Sequence, residues 1–205
     1  SCAAPAAQRR VPGGALAVAN GGIRTHPASG RDKLNLDTMR PNLAIFDANG
    51  ALVDHAEVES DIHQNSLRHI AAAPDGTVVC GFQWQGDPFD APALVALYSG
   101  NGTLTAAQMD EAALYRLDGY IGSVSAFGRS YAASSPRGNR AFHFDQWGGL
   151  TASHRAPDIC GLCAAPDGTC LATDGLGQVH RLSQNSFTRL QAHPLAFDTH
   201  LVALT

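Results

Sequence analysis

The chain is short of several things that would settle its class early. No apolar run approaches the roughly 20 residues needed to span a bilayer, so no membrane span is expected. The N-terminus lacks the basic, apolar, then small-residue order of a signal peptide, so an exported form would carry its signal outside these residues. Basic residues number 14 against 18 acidic, for a formal net charge of -4. The densest basic stretches, residues 9–10 and 24–40, are too short or too mixed for a phosphate-tracking stripe, and no nucleic-acid partner is expected. Five cysteines, Cys2, Cys80, Cys160, Cys163 and Cys170, are few for a disulfide scaffold and odd in number, which leaves the compartment undecided. Helical spacing is nearly absent. Only residues 106–117, AAQMDEAALYRL, carry it, with Met109, Ala113 and Leu117 along one stripe, and they predict one short helix packed on a sheet edge. No GxSxG elbow and no phosphate-cradling glycine loop occur, so covalent hydrolysis is not expected.

What the sequence does contain is repetition. Residues 72–77, AAPDGT, recur as residues 164–169, 92 residues later, each between two apolar runs. That spacing is two units of about 46 residues, inside the range of propeller blades. A degenerate middle unit stands at residues 123–135, and another at residues 11–19, where Pro-Gly-Gly replaces Pro-Asp-Gly and a first strand is missing. Pro followed by Asp-Gly makes a tight reversal between strands. Further strands are expected at 42–47, 51–58, 93–98, 103–105, 140–145, 178–182 and 186–190, with a lone closing strand at 197–204. Four strands per unit at this period predict an all-β chain, a β-propeller of about four to five four-stranded blades forming the C-terminal portion of a larger ring. The propeller is expected over residues 11–205, with residues 1–10 outside it.

In such a blade the a–b and c–d turns lie on one face, and the b–c and d–a connections lie on the other. The short turns Asn49-Gly50, Pro74–Gly76, Asn101-Gly102 and Pro166–Gly168 fall on the first face. Every long or polar connection falls on the second, above all residues 20–41, NGGIRTHPASGRDKLNLDTMRP, which read as a lid-like insertion on the face where function concentrates.

On that face His26, Asp37, His63, His69 and Asp158, joined by His200, can converge at the central channel and ligate a metal ion. No HxH or HExxH pair demands it, and a structural reading stands beside it: Arg68 and His69 bond neighbouring blades, and Asp37 pins the insertion. Arg24, Arg31, Lys33, Arg40, Arg68 and Arg137 gather there too, suited to carboxylate or phosphate through bidentate contacts. Inter-loop salt bridges with Asp37, Asp61 and Asp158 are the alternative. Thr25 and Asn35 complete the candidate ligand-binding set of Arg24, Thr25, His26, Arg31, Lys33, Asn35, Asp37, Arg68, His69, Arg137 and Asp158. The metal set is His26, His63, His69 and His200. Cys160-Gly-Leu-Cys163 is a CxxC, but it lies on a strand rather than at a helix N-terminus and has no second pair. Buried small residues are expected there, with a Cys163–Cys170 bridge as a minor alternative.

The segments 20–27, 33–39 with Pro41, 66–69, 122–124, 135–138, 158–161 and the closing 198–200 together resemble the family called domain of unknown function 1513. The resemblance runs from about residue 15 to the end. Phe197 and Thr199 stand where that family usually has Trp and Asn. It implies a seven-bladed propeller with further blades before this point, exported to the bacterial periplasm by a twin-arginine signal, with iron-uptake and haem-peroxidase-like neighbours.

The leading functional expectation is a binding or assembly module, not an enzyme. Its loop-face pocket would take a protein partner, a metal complex or a small anion, with a link to periplasmic iron handling. The runner-up is a metal-dependent propeller enzyme or electron-transfer accessory protein. A purely structural domain is the third reading, in which changes in residues 20–41 affect only folding.

Overall fold

In the computed structural model, which describes residues 6–30, 32–198 and 200–202, sixteen strands form four separate four-stranded antiparallel sheets. Blade I runs β1 (Ala7–Arg10), β2 (Leu16–Asn20), β3 (Asn42–Phe46) and β4 (Leu52–Glu57). Blade II follows as β5 (Asn65–Ala72), β6 (Val78–Trp84), β7 (Val95–Tyr98) and β8 (Leu104–Ala106). Blade III is β9 (Ser123–Phe127), β10 (Ser130–Ser135), β11 (Arg140–Phe144) and β12 (Leu150–Arg155). Blade IV closes the series with β13 (Ile159–Ala164), β14 (Cys170–Asp174), β15 (Gln178–Ser183) and β16 (Ser186–Ala192). Each sheet is a simple meander in chain order. The first strands β1, β5, β9 and β13 pack one on the next, and β5, β9 and β13 each also pack on the second strand of the blade before. That is the radial stacking of propeller blades.

The burial patterns follow from this stacking. A blade flanked on both sides buries both faces, so β6, β10 and β11 read as nearly continuous apolar or small residues, all buried over Val78–Phe82 and Ala141–Phe144. Blade I has a neighbour on one side only, and β2 alternates, with Ala17 and Ala19 fully buried and Leu16 and Val18 half-buried. One apolar core joins blades I to III through Leu43, Leu67, Val79, Phe82, Ile121 and Phe142. A second lies between blades III and IV around Phe127, Ile159, Leu162 and Leu182. The repeated Asp-Gly turns hold as expected: Asp75 and Asp167 accept from the backbone N–H of Thr77 and Thr169, and Gly76 and Gly168 take positive φ.

Four details correct the sequence reading. The first unit does not lack its first strand, because Ala7–Arg10 pairs antiparallel with Leu16–Asn20; this strand lies within the residues expected to fall outside the propeller. The helix expected over 106–117 shrinks to α1 (Glu111–Tyr115), because Ala106 is claimed by β8, although Ala113 and Leu117 are buried as the stripe required. The stretch 150–155, unassigned from the sequence, is β12, and His154 belongs to it rather than to a loop. The closing segment forms no strand over Phe197, Asp198 and residues 200–202. It instead runs beside β13: Phe197 bonds Asp174, and Leu201 packs against Gly161, where a Cβ would stand 2.9 Å from it. Thr199 and the last three residues lie outside the described residues, as do Cys2 and Arg31.

Candidate functional site

The short a–b and c–d turns and the long b–c and d–a connections follow from the meander, and a broad cleft opens on the side of the long ones. It is a cleft of about 630 Å³, bounded by the blade I insertion, by β5 and the end of β6, and by Tyr120 in the β8–β9 connection. Three local devices build it.

The first is the start of the insertion. Gly21 approaches β5 so closely that a Cβ there would stand 2.8 Å from Ser66 Oγ, and the Ser66 hydroxyl donates to the Gly21 carbonyl at 2.8 Å. Gly22, at φ 74°, turns the chain away under Pro41, a conformation that side-chain-bearing residues resist. The second is Asn35. Its Oδ1 accepts from the Arg24 backbone N–H at 2.6 Å and its Nδ2 donates to the Gly22 carbonyl at 2.9 Å, which folds the two arms of the insertion together. Met39, 2% exposed, and buried Pro41 anchor the return. The third is a β-bulge. Leu67 pairs with Phe82 and His69 with Gly81, so Arg68 is an extra residue in the ladder. Consecutive strand residues normally point to opposite faces. The bulge re-aims one of them, and Arg68 and His69 both line the cleft.

Arg24, Asn35, Arg68, His69 and His200 of the expected residues therefore line one cleft, with Arg40 beside them. The others lie elsewhere. His26 caps a short turn, its Nδ1 accepting from the Ala28 N–H at 3.1 Å. Thr25 and Lys33 are exposed on the insertion outside the cleft lining. Asp37 and His63 line a neighbouring cleft with Glu57, and His63 Nδ1 bonds the Ser60 carbonyl at 3.0 Å. Arg137 stacks over the Tyr120 ring, 5.3 Å from its centroid. The backbone N–H of Asp158, a residue at φ 52°, donates to Asn139 Oδ1. Arg31 lies outside the described residues.

The metal set does not assemble. His69 and His200 approach, ring centroids 5.7 Å apart, but His26 and His63 do not join them, and among the described residues no three His, Cys, Asp or Glu side chains are grouped to hold a metal ion. Among the described residues none of the inter-loop salt bridges forms, and the ion pairs found there are Asp174–His180 and Asp167–Arg181. Asn35 and Met39, not Asp37, pin the insertion. Burial, and then the positive charges of His200, Arg68 and Arg9, push the His69 pKa down to about 4, so its ring is neutral at neutral pH.

The CxxC reads as expected on β13. Cys160 is buried, its thiol donating to the Thr173 carbonyl, Cys163 is half-buried, and Cys80, Cys160, Cys163 and Cys170 are free thiols with no Cys163–Cys170 bridge. Asn20, Thr38, Gln83 and Tyr120 also line the cleft, on connections expected at this face but outside the candidate ligand-binding set. Their positions at strand ends next to the long connections were the available signal.

With this geometry in place, comparison with known proteins identifies the class: a β-propeller. The chain belongs to the family described as protein of unknown function (DUF1513), whose model matches residues 5–204. No curated protein matches it. Among solved structures it is similar to virginiamycin B lyase from Staphylococcus aureus with Quinupristin (TM-score 0.67, 9% identity, 95% of this chain and 57% of that one). It is also similar to the WD40 repeats of RRP9 (TM-score 0.65, 9% identity, 97% and 54%) and to a streptogramin B lyase (TM-score 0.61, 10% identity, 91% and 54%). The chain spans little more than half the length of these propellers, and at such identities the likeness is one of fold.

Proposed function

We propose that this propeller is a binding module that holds a small polar ligand in the loop-face cleft. One observation carries the reading: the β5 bulge and the Asn35-pinned insertion converge on a single cleft. Its volume of about 630 Å³ falls within the range of small-molecule sites, roughly 300–1,000 Å³. Virginiamycin B lyase with Quinupristin is a precedent for a small molecule on this fold. Export to the periplasm by a twin-arginine signal, and a place near iron handling, follow from the family resemblance and belong to the proposal.

The second reading, a metal-using enzyme or electron-transfer accessory, rests on the approach of His69 to His200. Native mass spectrometry and metal analysis of protein isolated from its own cells separate the two. The binding reading expects a small molecule near one equivalent per chain, with amide exchange in residues 21–41 slowed while it is bound. Iron, copper or zinc at one equivalent, lost on His69→Ala, would replace that reading with the second. Protein that carries neither, and gains no exchange protection from any metabolite pool, would leave the cleft a structural feature.

A further inference from the structure

We infer that the cleft is a receptor for a small organic polyanion, a ligand with two or more carboxylate or phosphate groups gripped by Arg24, Arg40 and Arg68. The inference rests on the binding reading above and names its ligand class.

The charge is one-sided. Among the described residues three guanidinium groups line the cleft and no carboxylate does, in a chain whose net charge is -4. None of the three forms an ion pair with a described residue; the two ion pairs found use other side chains. Unpaired arginines facing one cavity repel each other, and an anion between them relieves that repulsion through paired N–H contacts to carboxylate or phosphate oxygens. Arg40 also borders the neighbouring cleft of Asp37 and Glu57 but pairs with neither.

The backbone that carries these arginines is fixed by the fold. Arg24 has its backbone N–H fixed by Asn35, Arg40 follows buried Met39, and Arg68 is the bulged residue of β5. They come from three segments on two blades, so the ligand bridges the insertion to blade II. Arg137 over Tyr120 adds a fourth positive charge behind the cleft wall. At the rear, every charge that acts on His69, from His200, Arg68 and Arg9, is positive. The size of the cleft excludes a lone chloride or phosphate as the fitted occupant and leaves room for an organic body among Gln83, Thr38 and Tyr120.

The test is titration calorimetry of the full chain with citrate and, separately, with pyrophosphate, with acetate and glucose as controls. Binding at one equivalent, with Kd of about 100 µM or tighter, is expected for at least one polyanion. It should weaken on the order of tenfold in Arg68→Gln and in Arg24→Gln, the latter at an exposed position where folding is safe. It should also weaken between about 50 and about 200 mM NaCl, and stay unchanged in Arg155→Gln on β12. Citrate alone assigns carboxylate, pyrophosphate alone assigns phosphate, and both assign the shared oxyanion chemistry. No binding of either, or binding indifferent to both cleft variants, overturns the inference. A neutral or cationic molecule found by native mass spectrometry would overturn the ligand class while leaving the binding module standing; no bound molecule of any kind would remove both.

Discussion

The imidazole rings of His69 and His200 lie 5.7 Å apart at an interplanar angle of 52°, and the pair borders both the loop-face cleft and a smaller cavity of about 200 Å³ beside the inner strands. A residue of the second blade is thereby joined to the chain's closing segment, and the electrostatics of the pair set the first expected outcome.

Burial first, and then neighbouring positive charge, push His69 down to about 4 in the folded protein from its ordinary value of 6.5 in an unfolded chain. The unfolded chain therefore binds more protons between those values, and stability is fully present above pH 6.5 and is lost as pH falls toward 4. The loss contributed by this group is at most about 3 kcal/mol. Urea unfolding at several pH values should show the decline, and His69→Gln should flatten it. An unchanged slope in that variant would show that burial and the charges of Arg68, Arg9 and His200 do not act on this ring as described.

Asn35→Ala removes two side-chain hydrogen bonds that fold the insertion, the one accepted from the Arg24 N–H and the one donated to the Gly22 carbonyl. Two such bonds contribute about 1–3 kcal/mol. The expected result is local: faster amide exchange and proteolysis within residues 21–41, with the blade cores still protected. Loss of protection throughout blades III and IV would mean that the insertion supports the whole propeller.

Asp174 in blade IV is 1% exposed, accepts from the backbone N–H groups of Leu176 and Gln178, and pairs with His180 at 2.9 Å. The His180 ring stacks on Phe187 at 4.7 Å. Asp174→Ala leaves the turn donors and the buried imidazole without a partner and should cost about 3–5 kcal/mol, read as a fall in the unfolding midpoint. Asp174→Asn keeps an acceptor oxygen and should cost less. Equal losses in the two would assign the effect to the shape of the side chain and not to its bonds.

Thiol labelling under native conditions should separate the described cysteines. Cys163 is half-buried, whereas burial pushes the Cys170 thiol up to about 12 and that of Cys80 higher still. A thiolate is the reactive form, so Cys163 should react first and Cys80 and Cys170 only on unfolding. Early labelling of Cys170 would point to opening of the β13–β14 hairpin.

The blades were legible because their signals are local: an Asp-Gly turn between two apolar runs is a hairpin wherever it sits, and its recurrence 92 residues on gives the period. The strand Ala7–Arg10 was not legible, because three of its four residues are exposed and it carries no apolar alternation. The site was half legible. Face assignment by loop length put Arg24, Asn35, Arg68 and His69 together, but His26 and His63 share that face without reaching the cleft, since turn bonds to Ala28 and Ser60 hold their rings locally. The approach of Arg68 to His69 depends on a one-residue register shift, which an apolar pattern does not encode.

That register shift has an evolutionary corollary. On either side of Arg68 the pairing of β5 with β6 is regular, Asn65–Leu67 against Phe82–Trp84 and His69–Ala72 against Val78–Gly81. Excising one codon would leave an ordinary, fully paired strand and an intact blade while abolishing the guanidinium at the cleft. If the cleft binds as proposed, recognition and architecture are separable at this position, because the inserted residue carries the guanidinium while the pairing on either side of it is regular.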